Sequence, residues 1–254
     1  MNIAVVTGAS SGLGRELITY IDSCGLDEIW VNGRRTERLK VLRQTVKTPV
    51  QIFAGDISDI VTIQNVSAAL QETKATIEYF IYAAGCGKIG EAGTIPDKSL
   101  RQMIQVNCTA AVALTEACLP YMAQDSRIAY ICSVAAFQPI PYINVYAGTK
   151  AFLYHYSRAL SVELKKRRIS VTAVCPYWIK DTEFIDIARK DEDKLYFKRF
   201  PFASTVASVA KEAWQDIEKR KTVSAPGWFA KLNRLGTKLF PAKWIMHLSR
   251  MLFG

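Results

Sequence analysis

What this chain of 254 residues has little of narrows its class at once. It holds two histidines and six scattered cysteines, with no Cys-x2-Cys pair and no Cys/His cluster. A metal site and a disulfide scaffold are therefore not expected. No apolar run reaches the roughly 18 residues that a membrane-spanning helix needs. Met1 and Asn2 lead straight into Ile3-Ala4-Val5-Val6, without the basic start and longer apolar stretch of a secretory signal. Free thiols and no export signal make the expectation cytoplasmic. Acidic residues are missing from Lys219 to Gly254, where eight Lys/Arg stand, so the first 218 residues carry only two of the ten net positive charges. The basicity belongs to a tail, the body has no basic and aromatic groove pattern, and nucleic acid is not an expected partner.

What is present is a long, apolar and regularly alternating chain. Half of the residues are apolar, enough for a sizeable core. Short apolar runs read as strands at 3–7, 28–32, 50–54, 77–83, 127–132 and 169–175. Helical spacing fills 13–23, 36–46, 60–72, 99–122 and 145–168. Such alternation predicts βαβ crossovers, hence an α/β fold: one doubly wound (Rossmann-type) parallel sheet with helices on both faces. Near-continuous apolar strands fit a sheet covered on both sides. The expected organisation is a nucleotide-binding catalytic domain over 1–225, with an irregular insertion near 178–202. A basic amphipathic extension over 226–254 follows.

The first strand runs into Thr7-Gly8-Ala9-Ser10-Ser11-Gly12-Leu13-Gly14 and then into a helix. Gly8 permits a tight turn, Gly12 lets backbone N–H groups approach a pyrophosphate, and Gly14 lets the helix pack on the strand. The helix N-terminus favours the anion. This points to a dinucleotide, with Ser10, Ser11 and Leu13 among its contacts. At the end of the second strand a site for NAD places an acid on the ribose 2′-hydroxyl. Here stand Asn32-Gly33-Arg34-Arg35, and two guanidiniums suit a 2′-phosphate, so the expected cofactor is NADP. Asp56 reads either as an adenine contact or as the cap of the next helix.

Tyr146 and Lys150 lie four apart near the start of a long helix, on one face of it. A neighbouring ammonium is expected to lower the phenol's titration point and so permit proton exchange. Ser133 follows a strand and is placed to bond a substrate oxygen. Asn107 falls inside the long helix 99–122, where an amide is unfavourable, which implies a polar task such as holding a water.

Together these residues resemble the short-chain dehydrogenase/reductase family. The matching positions are Thr7-Gly8-x3-Gly12-x-Gly14, Asp56, Ala83-Ala84-Gly85, Asn107, Ser133, Tyr146-x3-Lys150 and Pro176, spread over residues 2 to about 225. The resemblance implies a sheet of about seven strands and a catalytic tetrad of Asn107, Ser133, Tyr146 and Lys150. Tyr146 would be the acid/base, Ser133 the holder of the substrate oxygen, Lys150 also a ribose ligand, and Asn107 the support of a water relay. It adds Ile57, Ala84, Gly85, Pro176 and Ile179 to the cofactor contacts. It also implies a homodimer or homotetramer. Three positions depart from the family pattern: Tyr82 precedes Ala83-Ala84-Gly85, Tyr177 stands where glycine usually follows Pro176, and Asp181 occupies a common threonine position, with Thr182 next. An acid near a pyrophosphate is unfavourable unless that loop shifts and Thr182 substitutes.

Phe137 to Tyr142, Trp178 and Phe184 are expected to wall an apolar pocket, suited to a steroid-, lipid- or aromatic-like carbonyl or alcohol. The expected activity is NADP(H)-dependent interconversion of such a pair. A cofactor-binding regulatory or scaffold protein on the same fold is the alternative. In the tail, Trp228, Phe229, Leu232, Leu235, Leu239 and Phe240, then Trp244, Ile245, Leu248, Met251 and Leu252, alternate with basic residues around Pro241. That pattern suits a lid over the pocket, a second subunit, or peripheral contact with a membrane.

Overall fold

A computed structural model describes residues 1–190, 196–197 and 200–253, with side chains described to His247 in the last helix. Seven strands form one parallel sheet in the order β3-β2-β1-β4-β5-β6-β7. They are β1 Asn2–Thr7, β2 Glu28–Gly33, β3 Val50–Ala54, β4 Thr76–Tyr82, β5 Met122–Ile131, β6 Ser170–Val174 and β7 Val223–Ser224. The strand order reverses between β1 and β4, which opens a crevice at the carboxyl ends of those strands. Period-two alternation sends Ile3 and Val5 of β1 into one core and Ala4 and Val6 into another. Both sheet faces are therefore covered. Fully buried side chains such as Trp30, Phe80 and Leu17 each stabilise the fold by about 1.5–3 kcal/mol relative to exposure.

The helices are α1 Gly12–Ile21, α2 Thr36–Thr45, α3 Ile60–Thr73, α4 Asp97–Ile104, α5 Ala110–Cys118, α6 Asn144–Glu163, α7 Phe184–Arg189, α8 Val206–Glu218, α9 Trp228–Leu239 and α10 Ala242–Phe253. Their ends show what sets them. Asp59 caps α3 by accepting from the Val61 N–H at 3.0 Å, and Thr205 caps α8. Asp56 is therefore not the cap of α3. No side chain caps α1, so its first N–H groups face the crevice.

The helix expected over 99–122 runs without interruption over 97–121, with a π turn over Gln105–Thr109 between α4 and α5 and a 3-10 turn over Leu119–Tyr121 at its end. Three other expectations from sequence need correction. β5 already begins at Met122, opposite Ile77, and its register shifts before Arg127. α6 ends at Glu163, and Leu164–Arg167 form a 3-10 turn whose Arg167 donates to the carbonyls of Leu119 and Met122. The insertion near 178–202 is not wholly irregular, since it holds α7; residues 191–195 and 198–199 of it lie outside the described residues. Past Pro241, α10 continues the tail as expected, although the side chains of Leu248, Met251 and Leu252 lie outside the described ones. Among the described residues no helix is long and apolar enough to cross a membrane, and no metal-ligating cluster occurs.

Candidate active site

The crevice at the strand-order reversal is a cavity of about 350 Å³. The turn between β1 and α1 forms one end of it. Gly8 has φ +65°, and a Cβ there would sit 2.7 Å from the backbone of Ala83 and Ala84. Gly14 is as tightly placed, since a Cβ there would sit 2.6 Å from the Gly8 carbonyl oxygen. Gly12, at φ +57°, instead faces space in which only the Thr182 methyl lies within reach, at 3.8 Å. Two glycines thus close the turn and a third leaves room above it, which is the shape a pyrophosphate needs. Thr7 completes the arrangement, because its hydroxyl accepts from the N–H groups of Ala83 and Ala84 at 3.1 and 3.0 Å.

All the positions named for the cofactor border this one cavity: the Gly8–Gly14 turn with Ser10, Ser11, Gly12 and Leu13, then Arg34, Arg35, Asp56 and Ile57, then Ala84, Gly85, Pro176 and Ile179. Ser133, Tyr146 and Lys150 border it too. Asp56 accepts from the Ser58 N–H and hydroxyl, and Arg34 lies 3.8 Å from its carboxylate. Although burial works to raise Asp56, these two hydrogen bonds together with Arg34 and Gln102 outweigh it and hold the carboxyl below its usual range.

Tyr146 and Lys150 are nearly fully buried, at 8% and 4% exposure. The Lys150 ammonium donates to the Ile131 carbonyl at 2.7 Å and stands 5.7 Å from the Tyr146 ring centre. Burial dominates both groups. It pushes the Tyr146 hydroxyl above its ordinary value, against a hydrogen bond with Ser133 that pulls it down. It draws Lys150 below its ordinary value. The expectation that the ammonium lowers the phenol is therefore not met by the protein groups alone, because desolvation is the larger effect.

Asn107 lies behind the cavity rather than on it, and it is fully buried inside the π turn. Its oxygen accepts from the Cys86 N–H at 3.0 Å, and its amide donates to the Cys86 carbonyl at 2.8 Å and to Thr149 Oγ1 at 2.9 Å. The side chain is thus engaged by protein groups at both ends and clamps the segment after β4 to α6. The polar task expected of an amide inside this helix is, among the described residues, this clamp. Tyr82 takes part as well: its hydroxyl donates to the Val106 carbonyl at 2.6 Å, inside the same π turn.

The other two departures also have structural explanations. Asp181 turns away from the phosphate turn and accepts from the Val206 N–H at 2.7 Å, at the start of α8, where an anion is favoured. Thr182 takes the place over Gly12. Tyr177 is buried against Phe229 of α9, with ring centres 4.5 Å apart, in a cluster with Val134, Ala225 and Ala230. A side chain in place of glycine thus packs against the tail, which Glu212 also holds through the Gly227 N–H and Lys231.

Several residues at the site had no signal in the sequence. Glu183 receives Arg35 at 2.5 Å and two bonds from Arg38, at 3.0 and 2.8 Å. Thr149 holds Asn107. The tail residues Phe229 and Ile245, named from their spacing, reach the cavity wall as a lid would, together with Asn233, which carried no such signal. The expected aromatic wall is only partly present. Trp178, Phe184, Gln138 and Ile140 line the cavity, whereas Phe137 packs on Tyr154 and Tyr142 stacks on Tyr196.

A phosphate-cradling turn beside a buried tyrosine, at the switch point of a doubly wound sheet, defines an oxidoreductase of the nucleotide-binding α/β class. Comparison with known proteins narrows it. The profile of the family described as short chain dehydrogenase matches residues 2–193, and the chain belongs to that family. It is 31% identical over 185 residues to a sulfoacetaldehyde reductase of Chromohalobacter salexigens, covering 70% of this chain and 72% of that one. It is 29% identical over 196 residues to a very-long-chain 3-oxoacyl-CoA reductase of Meyerozyma guilliermondii, covering 69% of this chain and 56% of that one. In structure it resembles the short-chain dehydrogenase from Sphingobium yanoikuyae in complex with NADPH. The TM-score is 0.79 at 25% identity, over 97% of this chain and 95% of the other.

Proposed function

We propose that this protein is an NADP(H)-dependent oxidoreductase that interconverts a carbonyl and a secondary alcohol on an apolar substrate. The observation that carries the reading is the convergence of Ser133, Tyr146 and Lys150 on the same cavity as the Gly8–Gly14 turn. The dinucleotide would lie with its pyrophosphate over Gly12 and the N-terminus of α1, and its 2′-phosphate against Arg34 and Arg35. The nicotinamide, when bound, supplies or accepts the hydride. Ser133 holds the substrate oxygen. Tyr146 gives that oxygen a proton in reduction and takes it back in oxidation. Lys150 orients the ribose and offsets charge that develops at Tyr146. Asn107 acts through position, keeping the backbone after β4 in place.

Support for an apolar substrate comes from the cavity wall, where Ile140, Trp178, Phe184, Phe197, Phe229 and Ile245 face inward. In this reading residues 1–225 form the catalytic unit, and 226–254 close its substrate side. A cofactor-binding scaffold role is not favoured, because all four tetrad residues are present and Tyr146 and Lys150 border the cavity with Ser133.

The cofactor part is tested by titrating NADPH and NADH into the wild type and into Arg34→Ala/Arg35→Ala. The expected result is a preference for NADPH that falls roughly 10-fold or more in the variant, with NADH changed a few-fold at most. Equal losses for both, or a wild type that prefers NADH, would overturn it.

A further inference from the structure

The tail turns a second apolar face away from the protein. On α9, Ala230 packs into the core, and Phe229 and Asn233 line the cavity. On the opposite side Trp228, Leu232, Leu235 and Leu239 follow one another at spacings of four, three and four, each 54–66% exposed. Such spacing draws one stripe along a helix. Phe240 and Trp244 extend it past the break at Pro241, and Phe202 joins it beside Trp228, with ring centres 5.1 Å apart. Seven of the fifteen large apolar side chains exposed among the described residues gather here. An exposed helix of a folded domain normally presents its polar face to water, and a cluster of this size marks a surface meant to be covered.

Charge decides what covers it. Lys231, Lys238 and Lys243 are exposed around the stripe. Lys231 pairs with Glu212 at 2.5 Å, and no ion pair engages Lys238 or Lys243 among the described residues. No acid occurs from Lys219 to the end of the chain. Two copies packed through this face would bring like charges together. An anionic lipid surface complements both parts of the pattern: acyl chains take the leucines, tryptophan sits well at the interface, and headgroups meet the lysines.

We infer that α9 and α10 form a docking face for an anionic lipid surface. The same helices carry cavity wall on their inner side through Phe229, Asn233 and Ile245, so docking sets the helices that close the cavity against the bilayer. Binding itself does not depend on the reaction proposed above, and the test contains no turnover measurement.

The experiment is co-sedimentation of the full chain with vesicles of phosphatidylcholine, with and without phosphatidylserine, at low and raised salt. Leu235→Glu/Leu239→Glu serves as the apolar variant and Lys238→Gln/Lys243→Gln as an independent charge variant. Thermal unfolding serves as the folding control, and sedimentation velocity gives the state of assembly. The expected result is binding to the phosphatidylserine vesicles, weakened about 10-fold or more by either variant and by salt. Absence of binding overturns the inference, as do equal binding to neutral vesicles or variants that bind like the wild type. A Leu235→Glu/Leu239→Glu variant that dissociates an oligomer, while the wild type ignores vesicles, also overturns it and assigns the face to a second copy of the chain.

Discussion

Arg35 joins the two halves of the site: its guanidinium donates to Ser11 Oγ in the phosphate turn and to Glu183 before α7, both at 2.5 Å. Glu183 therefore occupies donors that a 2′-phosphate would use. Hydrogen bonds from Arg38, then Arg35, hold its carboxyl down at about 2, so it stays ionised across the working range. A depressed acid contributes stability above its ordinary range and loses it only as pH falls through the folded value. Cofactor binding should accordingly show no titration from Glu183 between about pH 5 and 9. Glu183→Gln keeps the shape and removes the competing charge. The expected outcome is NADPH affinity raised several-fold with NADH little changed, read by fluorescence titration. Weaker NADPH binding in the variant would show that Glu183 orders the arginines rather than competing for them.

The buried Tyr146 and Lys150 set opposite pH limits for the two directions of reaction. Tyr146 titrates above its ordinary value and remains a proton donor through neutrality. Lys150, drawn below its ordinary value, loses its charge earlier than a free lysine. Reduction should thus stay flat near neutrality and decline on the alkaline side as Lys150 deprotonates. Alcohol oxidation, which needs a base at Tyr146, should still be rising at about pH 9. Initial rates in both directions against pH check this. An oxidation rate that levels off near neutrality would mean that the bound state lowers Tyr146 far more than burial raises it.

Gly8 tests the turn independently of chemistry. A Cβ at this position meets backbone at 2.7 Å, and its φ of +65° is one that other residues rarely adopt. Gly8→Ala should cost about 2–4 kcal/mol of stability and abolish dinucleotide binding, by thermal unfolding and titration respectively. Wild-type stability would show that β4 moves aside without cost.

Six of the seven strands, the phosphate turn and the spacing of Tyr146 and Lys150 were legible because each rests on local pattern: short apolar runs, closely spaced glycines, one helix face; the two-residue β7 is too short to show one. What was not legible depends on partners distant in the chain. Helical spacing continues through 99–122, and nothing local shows the π turn over Gln105–Thr109, in which Asn107 bonds Cys86 and Thr149. The partner of Arg35 and Arg38, Glu183, lies about 150 residues later in the chain. Asp181 looked misplaced until its partner, the Val206 N–H, was seen. Phe137 read as pocket wall because a short apolar loop segment does not state which way it faces; it packs on Tyr154 instead.

Proton transfer by Tyr146, with the turn and Arg34 and Arg35 holding NADP(H), is checked by following NADPH absorbance over a panel of apolar ketones with wild type and Tyr146→Phe, with NADPH binding measured in parallel. The expected result is turnover by the wild type and a loss of about 1,000-fold or more in the variant, whose NADPH affinity stays within a few-fold. A Tyr146→Phe enzyme that turns over within a few-fold of wild type would contradict it.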